Sequence, residues 1–441
     1  MNSEARELTP GTLDAWVNAV GSVLGIRVIA VAIGFLATVL AARLLGPAAY
    51  GQFAILVSIM TIVAGFSGPP LDTSLVRFTA SRVITDPQRS AAYFGLVWFL
   101  KCVFGALLLS IGLLTAGPLA GWLHLEDTTS WPMRKAVLWA FAGGVATTFM
   151  GLAQAWHQAH QRFFKYVMPE LVNSVLRFAI VLPLFLFRVR DVTYVFIAYV
   201  VACLIATGAA WWRLPRERIF APREPGRMRP FYDFAKWVFL ASLFTSLAQR
   251  FDILILGAYK MPQEAVGNYG AALNLTLLGD LLVISFYQVL LPKASHIRDA
   301  EQLAAFLRRF LLPVALCIIA MSPLVIASGY IVRIVFGDPF AETGRLFAIL
   351  FAGALARLGS VPAATALYGL GKPKAIAVIE GFRFLLTLVS GVCVVPVYGV
   401  IGMAWAMALV RGITSLLTYV SAEIELRRLR RATDVSRSVG G

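Results

Sequence analysis

The residues of this chain that could do chemistry are ionisable side chains set inside long apolar runs. Arg27, Lys101, Arg177, Arg250, Arg357, Arg383 and Arg411 lie within such runs, as do the acids Asp252, Asp280 and Glu380. An Arg at the centre of a membrane helix costs about 2.5–3.5 kcal/mol on insertion scales, so such a residue faces a cavity or a partner. The excess is cationic in both halves of the chain. A guanidinium presents a planar fork of donors that matches phosphate oxygens, so the chemistry open to this set is the holding of an anion. The residues expected to bind it are Arg27, Lys101, Arg177, Arg250 and Arg357. Arg27 is ten or more residues from either end of its run, which has no acid of its own, and is too deep to reach the interface easily.

Plainer roles compete for several of these positions. Glu380 and Arg383 are three residues apart, share a helix face and can neutralise each other. Arg357 and Arg411 can pair with acids on neighbouring helices. Arg250 can snorkel, and is too close in sequence to Asp252 to face it on a helix. Arg27 could instead be the structural partner of an acid such as Asp280. His157 and His160, three apart at the end of a span, have no Cys or carboxylate ligands nearby and read as solvated. Gly369-Leu370-Gly371-Lys372-Pro373 is no phosphate-binding loop, because Pro follows the Lys. Cys102, Cys203, Cys317 and Cys393 lie in apolar runs without paired spacing. No cofactor, metal site or ATP hydrolysis is expected. His124, Glu126 and Asp127, in the longest expected outer loop (118–135), read as a solvated face rather than as catalytic groups.

The elements that must position these residues are membrane spans. Hydrophobic residues make up 59% of the 441 and charged residues only 14%, against roughly 25% charged in soluble domains. Each span needs about 20 mainly apolar residues. The apolar runs read as helices at 17–40, 53–69, 91–117, 136–155, 168–187, 192–212, 234–258, 269–291, 311–330, 346–368, 375–397 and 400–420. The fold class expected is an all-α polytopic membrane protein of about twelve transmembrane helices in two six-helix lobes: residues 1–212, a cytoplasmic linker 213–230, residues 231–420, and a basic tail 421–441. The stretch 71–90 reads as an interfacial helix or a connector.

The net charge of +16 sits mostly in loops, which points to charge asymmetry across a membrane and not to nucleic acid. Lys and Arg cluster after even-numbered spans and in the tail, so both termini are expected on the cytoplasmic side. A weak internal echo supports two halves: Tyr50-Gly51 follows the first span and Tyr269-Gly270 the seventh, as in transporters built from parallel repeats.

Leu44-Leu45-Gly46-Pro47-Ala48-Ala49-Tyr50-Gly51-Gln52-Phe53 resembles the signature of polysaccharide and O-antigen flippases, part of the multidrug/oligosaccharidyl-lipid/polysaccharide exporter superfamily. Residues 71–78, 266–272, 335–340 and 395–402 resemble further segments of that family in the same order. The resemblance implies two lobes forming a central cavity with alternating access. It also implies a polyprenyl-diphosphate-linked oligosaccharide as cargo, moved from the inner to the outer leaflet of a bacterial cytoplasmic membrane. Partners expected on this reading are the lipid-linked oligosaccharide, membrane lipids, and glycosyltransferases or a polymerase of the same pathway. Arg27 is expected to hold the diphosphate, with Arg250 as a looser counterpart in the second half. The rivals are a cation or drug antiporter of the same superfamily, which should carry carboxylates deep in the first half, and a membrane-embedded polymerase or ligase.

Overall fold

The computed structural model describes residues 13–80, 86–127, 131–212, 214, 225–294, 297 and 299–439. Much of the expected linker, including Arg216, Arg218 and Arg223, lies outside the described residues. Among those described, the regular structure is helical throughout. Ten helical segments are long and apolar enough to cross a bilayer, and two of them, Gly25–Ala80 and Lys374–Arg431, are more than twice the length one crossing needs. Each contains a break. In α1 (Leu13–Ser67) Gly46 stands at φ 71, ψ 171, and in α15 (Pro373–Val439) Gly399 stands at φ 57, ψ −145. A side chain is strained at positive φ, whereas glycine is not. Pro47 follows Gly46 and suits the first turn of the next helix, where no amide donor is needed. With these two segments each holding two crossings, the chain makes the twelve expected.

The crossings form two compact units. Unit 1 comprises Met1–Leu45 and Ile55–Ser246, and unit 2 comprises Gly46–Ala54 and Leu247–Gly441. The division falls inside α7 (Pro225–Ala258). In unit 1 the hub is α4 (Met133–Ala159), which packs on α2 (Pro69–Ala80), α3 (Pro87–Trp122), α5 (Phe163–Leu186) and α6 (Val192–Trp212). Asp86 starts α3 by accepting a hydrogen bond from the Arg89 amide at 3.0 Å, ahead of Pro87 in the first turn. The stretch read as interfacial or connecting is partly a docked helix: α2 buries Leu71 and Leu75 in a core with Tyr93, Phe94, Leu152 and Trp156.

In unit 2 the hub is α13 (Thr343–Gly359), against α15, α8 (Gln263–Leu275), α9 (Leu277–Ala294) and α10 (Ala300–Met321). The Tyr-Gly echo has a structural cause here. A Cβ on Gly51 would strike the Gln263 carbonyl, and one on Gly267 would strike the Pro47 carbonyl, so segment 46–54 and α8 touch backbone to backbone. Tyr50, fully buried, accepts a hydrogen bond from Asn274 Nδ2 at 2.8 Å and packs edge-on to Phe340 at 5.9 Å. Three of the segments that carry the family resemblance thus meet in one place.

Apolar side chains also cover the outside. Leu113 and Leu114 on α3 and Leu316 and Ile319 on α10 are exposed, and Trp122, Trp212 and Tyr398 are exposed near helix ends or turns. That surface would aggregate in water. In a bilayer it is the lipid face, with aromatic residues at the interfaces. Several hydroxyls inside the spans are satisfied locally, as where Thr147 and Thr414 donate to the carbonyls of Gly143 and Val410. The protein is a multi-pass membrane protein.

Candidate functional site

Unit 1 holds a polar strip between α1, α5 and α6. Along α5, Glu170, Asn173, Ser174 and Arg177 recur at helical spacing on one face. Glu170 meets Arg27 Nε at 3.6 Å, with both side chains about one-third exposed. Ser174 lies beside Gly34, where a Cβ would come within 3.2 Å of its Oγ. The Arg177 guanidinium stacks over the Tyr199 ring at 4.9 Å, and the Tyr199 hydroxyl shares a hydrogen bond of 3.1 Å with Thr38. Arg177 Nε is buried with no hydrogen-bond partner, and so is Asn173 Oδ1. Among the described residues no carboxylate lies within ion-pair distance of Arg177.

Lys101 is placed differently. It is 0% exposed, 2.7 Å from Asp72 Oδ1 on α2, and donates to the Thr148 carbonyl on α4. The pair ties three elements together beneath a sealed surface. Its geometry is that of a clamp: opposite charges taken out of water tolerate each other only when paired and hydrogen bonded.

In unit 2, Arg357 Nη1 lies 3.6 Å from Asp280 Oδ1, and Arg383 Nη2 lies 2.7 Å from Glu380 Oε2. The pairing expected from three-residue spacing is therefore present. Both arginines and Glu380 line a cavity with Tyr287, Thr414 and Ser415, and the Ser415 hydroxyl is buried there without a partner. Arg411 donates to the Leu350 carbonyl at 3.1 Å. Asp252 is fully buried, accepts from the Tyr269 hydroxyl at 2.8 Å and from the Ile253 amide at 2.8 Å, and feels the charges of both Arg250 and Arg411. Arg250 is half-buried with no carboxylate at ion-pair distance among the described residues.

The five expected anion ligands thus fall into different settings. Arg27 and Arg177 share the α5 strip, Lys101 is sealed apart from them, and Arg250 and Arg357 belong to unit 2. Two readings need correction. The acid that meets Arg27 is Glu170, and Asp280 is taken by Arg357. His157 is 6% exposed and so not solvated, while His160 stacks on Trp156 at 4.0 Å; the end of α4 folds them into the core around α2. In the outer loop, Asp127 Oδ1 accepts the Met133 amide at 2.6 Å and so helps start α4. Sequence reasoning gave no site role to Asp72, Asn173 or Tyr199, and read Glu170 only as an acid near the edge of its span. Asn173 alone carried a readable signal, four residues before Arg177 on the same helix face.

Comparison with known proteins adds a family and a fold. Residues 17–298 match the family model described as polysaccharide biosynthesis protein. A probable low-salt glycan biosynthesis flippase, Agl15 of Haloferax volcanii, is 22% identical over 205 residues, which cover 45% of this chain and 43% of that protein; the match thus spans less than half the relative's length. Among solved structures, the lipid II flippase MurJ in an inward closed conformation superposes with a TM-score of 0.70 at 14% identity, covering 91% of this chain and 87% of that one. An inward-facing multidrug resistance MATE family transporter of the MOP superfamily superposes with a TM-score of 0.69 at 15% identity, covering 92% and 99%.

Proposed function

The chain belongs to the polysaccharide biosynthesis protein family, and from that premise we propose that it is a flippase carrying a polyprenyl-diphosphate-linked oligosaccharide from the inner to the outer leaflet of a bacterial cytoplasmic membrane, for polysaccharide export. It makes and breaks no covalent bond in this reading. The observation that carries the proposal is Arg177: a guanidinium within a membrane span, over the Tyr199 ring, with no carboxylate at ion-pair distance among the described residues. An intramembrane charge without a counter-ion is costly, and an anionic cargo supplies the missing partner. Arg27 is a second ligand on the same strip, and Arg250 and Arg357 are the candidate anion ligands within unit 2. Lys101 contributes by holding α2 in place. A diphosphate diester carries about two negative charges, each gaining about 2.3 kcal/mol per 100 mV on moving outward from a negative interior. Glycosyltransferases and a polymerase are the partners such a carrier would work between.

A cation or drug antiporter is the competing reading, and the fold does not separate the two, because the MATE and MurJ likenesses are equally close. The charges do. The two acids that meet the deep cations of unit 1, Asp72 and Glu170, are already engaged, which favours an anionic over a cationic cargo. The test is a proteoliposome assay with a labelled lipid-linked oligosaccharide. Protein-dependent flipping supports the proposal; its absence across several saccharides and ion gradients, together with uptake of cationic dyes, would replace it with the antiporter. The same proposal puts both termini in the cytoplasm, a reading supported by the loop charges. Single cysteines at Ser130 and Ser295, both outside the described residues, test this: the first should label from outside and the second only after permeabilisation.

A further inference from the structure

The strip in unit 1 leaves two buried atoms of opposite character unanswered on one helix face. Arg177 Nε is a donor without an acceptor, and Asn173 Oδ1 is an acceptor without a donor. Asn173 is only 7% exposed. The two residues are four apart, hence on the same face and about 6 Å from each other along the axis of α5. Buried polar atoms in folded proteins are nearly always paired, so a donor and an acceptor left over one turn apart on one helix face can take a common occupant.

The chemistry of that occupant is constrained. A phosphate diester offers acceptors only and can answer Arg177, whose guanidinium offers donors only. It cannot answer Asn173 Oδ1, which needs an O–H or N–H. A hydroxyl next to the phosphate can, and since a hydroxyl both donates and accepts, it suits the amide whichever way it is turned. The platform is fixed: Tyr199 lies under the guanidinium and is itself held by Thr38. Glu170, two turns from Arg177 on α5, already faces Arg27, so the nearest acid of the strip is engaged elsewhere.

We propose that Asn173 and Arg177 form a subsite for the glycosyl phosphate junction of the cargo, with Arg177 Nε on a phosphate oxygen and Asn173 on the hydroxyl of the first sugar beside it. The inference rests on the lipid-linked saccharide reading and refines it: unit 1 reads the junction between lipid phosphate and sugar, so a bare polyprenyl diphosphate binds less well than a glycosylated one. Asn173 becomes a specificity residue and Arg177 an affinity residue.

The experiment measures binding of two probes to the full chain in lipid nanodiscs: a short polyprenyl diphosphate, and the same lipid bearing one hexose. Thermal unfolding of each variant reports on folding. The unaltered protein should bind the glycosylated probe about tenfold more tightly, the size expected for one buried hydrogen bond. Asn173→Leu keeps the branched shape and loses the acceptor, so it should erase that preference by weakening the glycosylated probe far more than the bare diphosphate. Arg177→Gln should weaken both probes alike. Asn173→Asp sets a carboxylate beside Arg177 and should weaken both by more than tenfold. If Asn173→Leu does not fold, the isosteric Asp variant still decides, because an Asn173 remote from the phosphate would leave both affinities untouched. Equal loss of both probes in Asn173→Leu, or no change in either, as for atoms that merely hold water, overturns the subsite. Failure of the unaltered protein to bind either probe overturns the flippase reading itself, and this inference with it.

Discussion

In unit 1 the three deep cations are treated unequally: Lys101 is sealed against Asp72, Arg27 leans on a partly exposed Glu170, and Arg177 has an aromatic ring but no acid. In unit 2 the positive charge is spread. Arg357 and Arg383 each meet an acid, Arg411 bonds a carbonyl, and Asp252 lies in the field of both Arg250 and Arg411. Each set contains one more cation than acids, but unit 1 concentrates the surplus on a single guanidinium while unit 2 shares it. Localised charge makes the stronger anion site, because a phosphate gains most where a donor has no competing acceptor. Both units join helices through side-chain hydrogen bonds, Tyr50–Asn274 and Tyr269–Asp252 in unit 2 and Thr38–Tyr199 in unit 1.

The sharpest break of this comparison is at Lys101. Removing one partner of a buried pair costs about 3–5 kcal/mol, so Lys101→Ala should strip most folded protein from the membrane, read by size-exclusion yield and unfolding temperature. The double variant Lys101→Met with Asp72→Leu should recover much of it. Normal yield of the single variant would mean that the pair is no clamp. Next in size is Arg177→Ala: transport per folded protein should fall about a hundredfold with abundance unchanged, a loss of about 2.7 kcal/mol in transition-state or cargo binding. Unchanged normalised transport would remove the localised surplus as the feature that matters. Arg27→Ala should be milder, about tenfold in transport, because Glu170 already answers part of its charge. Arg27→Lys, which keeps charge and loses the fork, should fall between Ala and the unaltered residue. The smallest effect is expected at Asp280→Asn. Its side chain is 40% exposed, and exposed ion pairs contribute about 0–1 kcal/mol, so unfolding temperature should barely move. A large drop there would show that unit 2 depends on its pairs as strongly as unit 1 does.

Much of this architecture is legible in the residue order. Apolar runs of bilayer length mark every crossing, because a helix is the way a single strand of chain satisfies its own backbone in hydrocarbon. The Glu380–Arg383 pair follows from three-residue spacing on one helix. The motif around Tyr50 and Gly51 is recognisable as a sequence pattern, yet its role is not: only the fold shows Gly51 and Gly267 permitting segment 46–54 to press on α8.

Sequence alone determined which residues lie inside the membrane and that their charge is in cationic excess. Those are properties of composition and local periodicity. Tertiary structure alone decided which acid meets which cation: Asp72 for Lys101, Glu170 for Arg27, Asp280 for Arg357 and, among the described residues, none for Arg177. The reason is physical. A helix fixes the direction of each side chain about its own axis, but the identity of the neighbour is set by how helices far apart in sequence pack, and at membrane depth a few ångströms of packing separate a neutralised charge from one free to take a ligand.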